Sequence, residues 1–312
     1  MRILVTGASG FVGGALVAHL RAQGYDVLGH GRQAHPACDV VSDFSRGGAI
    51  YDLLSEVTHV IHAAGRKGGL KVAPYLADNA ALPTRLFARA AQAGVRHFIH
   101  ISSATALLDP ALAGQQGLDE RTPVNTAVPW AYARSKALAE QALTVAAKDS
   151  TTRLSLVRPC LIWGGAAPFH TRLRQRQFRQ IGPATHGHTT VHIDNLSSLI
   201  ARLLAYDGPE QVFHPQDPDP RALHKFLSEL SGALNLPPPP RLSLRPARYA
   251  AQGAGALRAL SGDTLDFGLQ GITALFSREF TTHDASTRAA LEWQPPLSIA
   301  AGLQGLSGLS RL

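Results

Sequence analysis

Apolar and polar positions fall into two alternating rhythms over the first half of the chain. Ile3 to Val5 is a short run of buried-strand type that stops at Thr6-Gly7, and from Phe11 to Ala22 the apolar residues recur at helical spacing. The same change repeats downstream. Short strand-like runs are predicted at Asp26 to Leu28, Thr58 to Ala63, His97 to Ile101 and from Arg153 to Val157, with a long helix over Tyr75 to Ala93. Strands alternating with helices predict an α/β fold with a doubly wound parallel sheet, helices on both faces and right-handed crossovers. The second half is richer in Pro, Gly and Arg, its strand signals are sparser, and Asn235 to Pro240, with four consecutive prolines, reads as a loop or spacer. The expected division is a sheet domain over 1–160 and a smaller, interleaved substrate-side region over 161–312, with about 188–214 returning to the sheet.

Composition narrows this little. The chain has 312 residues, 45% hydrophobic and 17% charged, which fits a globular protein of one or two domains. Two cysteines, Cys38 and Cys160, offer neither a disulfide framework nor metal-ligand spacing, and no metal is expected. The apolar run at the N-terminus is too short for a signal peptide, and no stretch approaches a bilayer span. A cytoplasmic location is the expectation. The net charge of +8 comes almost wholly from arginine, since only five lysines occur. These arginines are scattered without a basic run or interleaved aromatics. No nucleic-acid or membrane partner is therefore expected, and an anionic cofactor or substrate accounts for part of the charge.

The chemistry begins at Thr6-Gly7-Ala8-Ser9-Gly10-Phe11-Val12-Gly13, directly after the first strand and opening a helix. Glycine lets the backbone turn sharply and approach a diphosphate, and the helix N-terminus supplies free N–H groups with a partial positive charge. Gly7, Ser9, Gly10, Phe11, Val12 and Gly13 are thus candidates to hold a dinucleotide. The spacing is Gly-x-x-Gly-x-x-Gly rather than Gly-x-Gly-x-x-Gly. The second strand leads into Gly29-His30-Gly31-Arg32, without the carboxylate that usually holds the adenosine ribose. Arg32 would suit a 2′-phosphate, so NADP is expected over NAD. Asp39 and Val40 are placed at the adenine edge.

Tyr132 and Lys136 lie four residues apart, on one face of a predicted helix. A neighbouring cation would lower the phenol's pKa and allow proton exchange with a carbonyl or alcohol oxygen. The strand at His97 to Ile101 ends in Ser102-Ser103-Ala104-Thr105, and a hydroxyl at that strand end can meet a substrate oxygen. His62 and His192 read as structural.

Together these marks resemble the extended short-chain dehydrogenase/reductase family, also called the NAD-dependent epimerase/dehydratase family. Its further marks are His62-Ala63-Ala64-Gly65, Asn79 at the start of the following long helix, Arg158-Pro159-Cys160-Leu161-Ile162-Trp163-Gly164 and Val191-His192-Ile193-Asp194-Asn195. The run from Arg158 is most similar to the 3β-hydroxysteroid dehydrogenase-like branch. The resemblance implies a Rossmann domain in which Ser103 joins Tyr132 and Lys136 as the catalytic set and Lys136 also holds the nicotinamide ribose. It further implies that Ala63, Ala64, Gly65 and Asn79 back the cofactor and that the chain at Pro159 meets its nicotinamide end.

Nucleotide-sugar members carry an arginine before the segment matching Val191, and here Gly187-His188-Thr189-Thr190 stands there. The expected function is hydride transfer between NADPH and an apolar or acid-bearing ketone or secondary alcohol. Two alternatives stay open: a nucleotide-sugar epimerase or dehydratase with tightly held NAD, and a dinucleotide-sensing regulator. The oligomeric state is open, a homodimer included.

Overall fold

Local order follows the rhythm of the sequence. The computed structural model describes residues 1–43, 49–68, 71–112, 114–209, 211–243 and 275–309, with the single positions 249 and 253. Its first half runs β1 (Arg2–Thr6), α1 (Phe11–Ala22), β2 (Asp26–Gly31), β3 (Val40–Val41), α2 (Ala49–Leu53), β4 (His59–His62), α3 (Val72–Leu76), α4 (Leu82–Gln92), β5 (His97–Ile101), β6 (Gln115–Leu118), α5 (Ala131–Ala147) and β7 (Arg153–Val157). The second half runs β8 (Leu161–Trp163), α6 (Pro168–Arg174), β9 (Gln180–Ile181), β10 (Thr190–His192), α7 (Ile193–Leu203), β11 (Gln211–Phe213), α8 (Leu223–Ala233), β12 (Arg241–Leu242), β13 (Phe280–Thr282), α9 (Ala285–Leu291) and α10 (Ile299–Leu309). Part of the expected substrate-side region, 244–274 apart from positions 249 and 253, lies outside the described residues.

Seven strands form one parallel sheet in the order β11-β7-β5-β4-β1-β2-β3. Alternate strand residues face opposite layers. Ile3, Val5, Ile61, Ile99 and Val157 pack with Leu16, Val17 and Leu20 of α1 and Leu196, Leu199 and Leu203 of α7. Leu4, Val60, Phe98, Leu154 and Leu156 pack on the other side with Leu86 and Phe87 of α4 and Leu143 of α5. Coverage of both faces explains why the strands read as continuous apolar runs rather than alternating ones.

One element differs from its expectation. The helix predicted over Tyr75 to Ala93 begins earlier, at Val72, and a π turn over Ala77–Ala81 separates α3 from α4. Asn79 therefore sits inside that turn, not at the start of the helix. The extra residue of a π turn rotates the helix face locally. The period-3.6 pattern carries no sign of such an insertion, because both flanking stretches remain helical.

The second half hangs on the sheet through β11 and builds three small parallel pairs, β8 with β10, β9 with β12, and β6 with β13. Trp163, Phe226, Leu227, Leu230, Ile299 and Leu306 form its core between α8 and α10. At the seam with α7 lies Asp217, which is 1% exposed. Its carboxylate accepts from Trp163 Nε1 (2.7 Å), Thr190 Oγ1 (2.7 Å), His192 N (2.7 Å) and Asn195 Nδ2 (2.8 Å). Four donors from three elements thus converge on one buried anion. Asp217→Ala strands all four and is expected to cost about 3 kcal/mol. The check is the urea midpoint, which should fall with an unchanged slope.

Candidate active site

The carboxyl ends of β1, β4 and β5 open on one side of the sheet, and the conspicuous sequence motifs meet there. β1 runs into Gly7, whose φ of +74° favours glycine. A Cβ there would also stand 2.7 Å from the backbone of Ala64, and one at Gly13 would stand 2.2 Å from Gly7 O. Close packing of loop on helix and loop on strand end is what requires these glycines. Gly10 is the N-cap of α1. No side chain caps that helix end and no acid lies in its first turn, so the N–H groups around Phe11 and Val12 are left for a ligand. Ser9 lies beside the exit of β2, where a Cβ on Gly31 would come 3.1 Å from Ser9 Oγ.

The cradle continues into the exit of β4. Ala63 N donates to Thr6 O (3.2 Å), which binds this exit to β1. A Cβ on Gly65 would lie 3.1 Å from Asn79 Oδ1 and 3.8 Å from Lys136 Nζ. The π turn aims Asn79, 1% exposed, at this point: its Oδ1 accepts from Arg66 N (2.6 Å) and its Nδ2 donates to Arg66 O and Ser135 Oγ (3.0 Å each). From Gly7 through Ala64 and Gly65 to Lys136 the lining is therefore continuous. A long anionic ligand with its diphosphate at the N-terminus of α1 and its far end at Lys136 fits these residues.

At that far end Tyr132 and Lys136 project from α5. Lys136 is 5% exposed and its ammonium donates to Ile101 O, the last carbonyl of β5, at 2.7 Å. Ser103, the N-cap of the turn Ala104–Leu107, accepts from Thr105 Oγ1 (2.9 Å) and hydrogen-bonds the Tyr132 phenol. Ala104 N donates to Pro159 O (2.9 Å), bringing the Arg158-Pro159 segment alongside. Ser103, Tyr132 and Lys136 are thus brought together.

The electrostatics differ in one respect from the expectation. Burial raises the Tyr132 phenol above its ordinary value, with the Ser103 hydrogen bond opposing and Tyr75 adding to the rise. Burial is the largest effect on the phenol, which is held in its protonated form. Burial, reinforced by the charge of Lys67 and opposed by Glu140, brings the Lys136 ammonium down to about 7. His62 and His100, stacked at 5.4 Å on the same side of the sheet, are held neutral by burial and by Lys136, His62 at about 3. His62 Nδ1 pairs with Thr6 Oγ1 (2.8 Å). His192 caps α7 and lies edge-on to Trp163.

Behind the pair is a group that the reading of the sequence overlooked. Glu140 (2% exposed) takes a bidentate contact from Arg158 (5% exposed), Nε at 2.9 Å and Nη2 at 2.7 Å, and also accepts from the Ser102 hydroxyl. The available signal was spacing, because Glu140 stands four residues after Lys136 on the same helix.

The remaining candidates lie apart. Arg32 is exposed just past β2. Asp39 is engaged within the fold: it accepts from Gly29 N (2.7 Å) and pairs with Arg21, while Val40 opens β3 beside His30. In the second half of the chain, the stretch before Val191 turns inward. His188 bonds Leu275 O, Thr189 accepts from Thr282 N and Thr190 donates to Asp217. It presents no cation. Gly165 follows β8, where a Cβ would stand 3.9 Å from Phe11 and Ile193, and Arg172, Arg174, Arg176 and Arg179 are exposed.

With that geometry established, likeness to known proteins becomes informative. Residues 3–207 match the NAD dependent epimerase/dehydratase family. The chain is 26% identical to a 2-alkyl-3-oxoalkanoate reductase of Stenotrophomonas maltophilia over 76% of its own length and 77% of the relative. It is 27% identical to a UDP-glucose 4-epimerase of Vibrio cholerae over 97% and 93%. MoeE5, solved with UDP-glucuronic acid and NAD, superposes over 100% of this chain and 99% of that one at a TM-score of 0.76, with 19% identity.

A buried lysine titrating near neutrality has a measurable consequence. Lys136 in the ligand-free protein should titrate at about 7, in contrast to exposed lysines near 10.4. Its pKa is lowered on folding, so between these values the unfolded chain binds the additional proton. Stability from this group is therefore gained as pH rises through that window and lost towards pH 7. NMR of ¹³Cε-labelled lysine reads the midpoint directly, and a Lys136 midpoint above 9 would contradict this electrostatic account.

Proposed function

The chain belongs to the NAD-dependent epimerase/dehydratase family, the extended short-chain dehydrogenases/reductases, and is an NAD(P)-dependent enzyme; from that premise we propose that it reduces a ketone to a secondary alcohol, with NADPH preferred. The observation that carries the reading is the convergence of Ser103, Tyr132 and Lys136 at the end of β5, joined by an unbroken lining to the glycine loop. A bound nicotinamide would supply the hydride. Gly7, Ser9, Gly10, Phe11, Val12 and Gly13 would hold its diphosphate, with Ala63, Ala64, Gly65, Asn79 and Pro159 along the nicotinamide half.

Each chain residue has a role that follows from its setting. Ser103 orients the substrate oxygen. Tyr132, kept protonated by burial, donates its phenolic proton to that oxygen as alkoxide character develops there. Lys136, within reach of Gly65 and the cofactor path, binds the ribose and steadies the phenolate that remains. A protonated phenol is the form that reduction requires, and this supports the reductive direction. The inward-turned stretch before Val191 and the small residues Gly164-Gly165-Ala166-Ala167 favour an apolar or singly acidic carbonyl compound over a sugar diphosphate.

The near full-length likeness to a UDP-glucose 4-epimerase supports a second reading, epimerisation with NAD retained and recycled. One assay separates the two: loss of NADPH absorbance with apolar ketones, against conversion of UDP-glucose without net cofactor change. Net NADPH oxidation is expected. Tyr132→Phe should abolish it with dinucleotide affinity nearly intact, and Lys136→Ala should damage both turnover and affinity. An active Tyr132→Phe enzyme would remove the mechanism.

Arg32 and the missing carboxylate at the end of β2 support the NADPH preference. The exposed guanidinium would grip a 2′-phosphate, and losing such a contact costs about 1.5–3 kcal/mol, roughly 10- to 150-fold. Arg32→Ala is expected to weaken NADPH by that factor and leave NADH unchanged in a fluorescence titration. Equal affinity of the wild-type protein for both cofactors would refute the preference.

A further inference from the structure

Helix α5 is fastened to the end of β5 at three consecutive residues. Lys136 donates to Ile101 O (2.7 Å), the Ser102 hydroxyl donates to Glu140, and Ser103 hydrogen-bonds Tyr132. Tyr132, Lys136 and Glu140 stand at i, i+4 and i+8, a single helix face. Two of these three fastenings carry the proposed reaction, and the third has no part in it so far.

We propose that Glu140 is a positioning residue: held by Arg158, its carboxylate anchors Ser102 so that the adjoining Ser103 meets Tyr132, and it serves as the counter-charge of Lys136. This rests on the hydride-transfer reading given above. A buried Arg–Glu pair is weak evidence for stability, since apolar residues of similar volume commonly replace it without loss. Here the pair has a neighbour that an apolar substitute would not satisfy. Without Glu140, Lys136 and Arg158 would be two buried cations around one strand end.

The groups facing Lys136 from the packed elements bear this out. His62 of β4 and His100 of β5 are neutral, Tyr132 of α5 is protonated, and Lys67 from the loop after β4 repels. Arg158, after β7, is bound to Glu140. The acid that acts on Lys136 in the opposite sense is Glu140. It also takes Ser102 and two nitrogens of Arg158 at once, an arrangement that fixes its place relative to the strand.

The test reads Lys136 itself in the full-length, cofactor-free protein, by the ¹³Cε-lysine titration. Glu140→Gln is expected to lower the Lys136 midpoint by about one pH unit. Should the stranded Arg158 prevent folding, Glu140→Gln combined with Arg158→Met removes that cation too, and a smaller fall in the same direction is expected, because a cation leaves together with the acid that acts on Lys136. Ser102→Ala keeps every charge, so the midpoint should stay and kcat for NADPH oxidation should fall about tenfold with KM within about twofold. An unchanged midpoint in a folded Glu140 variant, or an unchanged kcat in Ser102→Ala, would overturn the proposal. Because the midpoint needs no turnover, failure of the reductase reading would show separately, as conversion of UDP-glucose by the wild-type protein without net NADPH oxidation.

Discussion

A buried ammonium is the constraint on which this site is built. Taking Lys136 out of water is unfavourable unless its charge finds acceptors, and the acceptor it has is the carbonyl that ends β5. That one bond ties the middle of α5 to the strand that carries Ser103. Burial, reinforced by the Lys136 charge, keeps the two stacked histidines on that side of the sheet neutral, and burial keeps the phenol one turn away protonated. Burial, rather than a pre-formed phenolate, is the dominant electrostatic feature of the ligand-free site.

The sheet determines where such a site can form. Both faces are sealed by helices packed on alternate strand residues, so ligand access is left at the strand ends. The order β4-β1-β2 places the β1 exit between its two neighbours, and successive crossovers depart to opposite layers there. The glycines at 7 and 13 serve this crowding. At Gly7 the loop lies against Ala64, and at Gly13 the helix lies against the loop, each too close for a Cβ. The result is a narrow seam leading from the helix N-terminus to the lysine.

One scaffold of this kind carries ketone reduction in one relative and sugar epimerisation in another, so the fold by itself assigns no substrate. The second half of the chain carries its own set of buried polar contacts. Between β9 and β10 that chain spends its polar side chains on its own structure, on Leu275, Thr282 and Asp217. Arg172 and Arg174 at the end of α6, and Arg176 and Arg179 after it, are exposed.

Much of this was legible in the residues alone. The bounds of α1, β5 and β7, the parallel class of the sheet, the glycine loop and the shared face of Tyr132 and Lys136 all follow from local periodicity and spacing, which the backbone obeys wherever neighbours in sequence are neighbours in space. Contacts between distant segments were not legible. The π turn that aims Asn79 at Arg66 and Ser135 leaves the helical pattern on both sides intact. The contacts of the Asp39 carboxylate with Gly29 N and Arg21 form where a two-residue β3 lies along β2, which local spacing does not reveal. Glu140 and Arg158 are eighteen residues apart, and only the packing of α5 on the exits of β5 and β7 makes them one buried pair beside Lys136. Local spacing marks which groups could do chemistry, whereas packing sets their protonation, because burial and the partners met on folding fix the free energy of each charge.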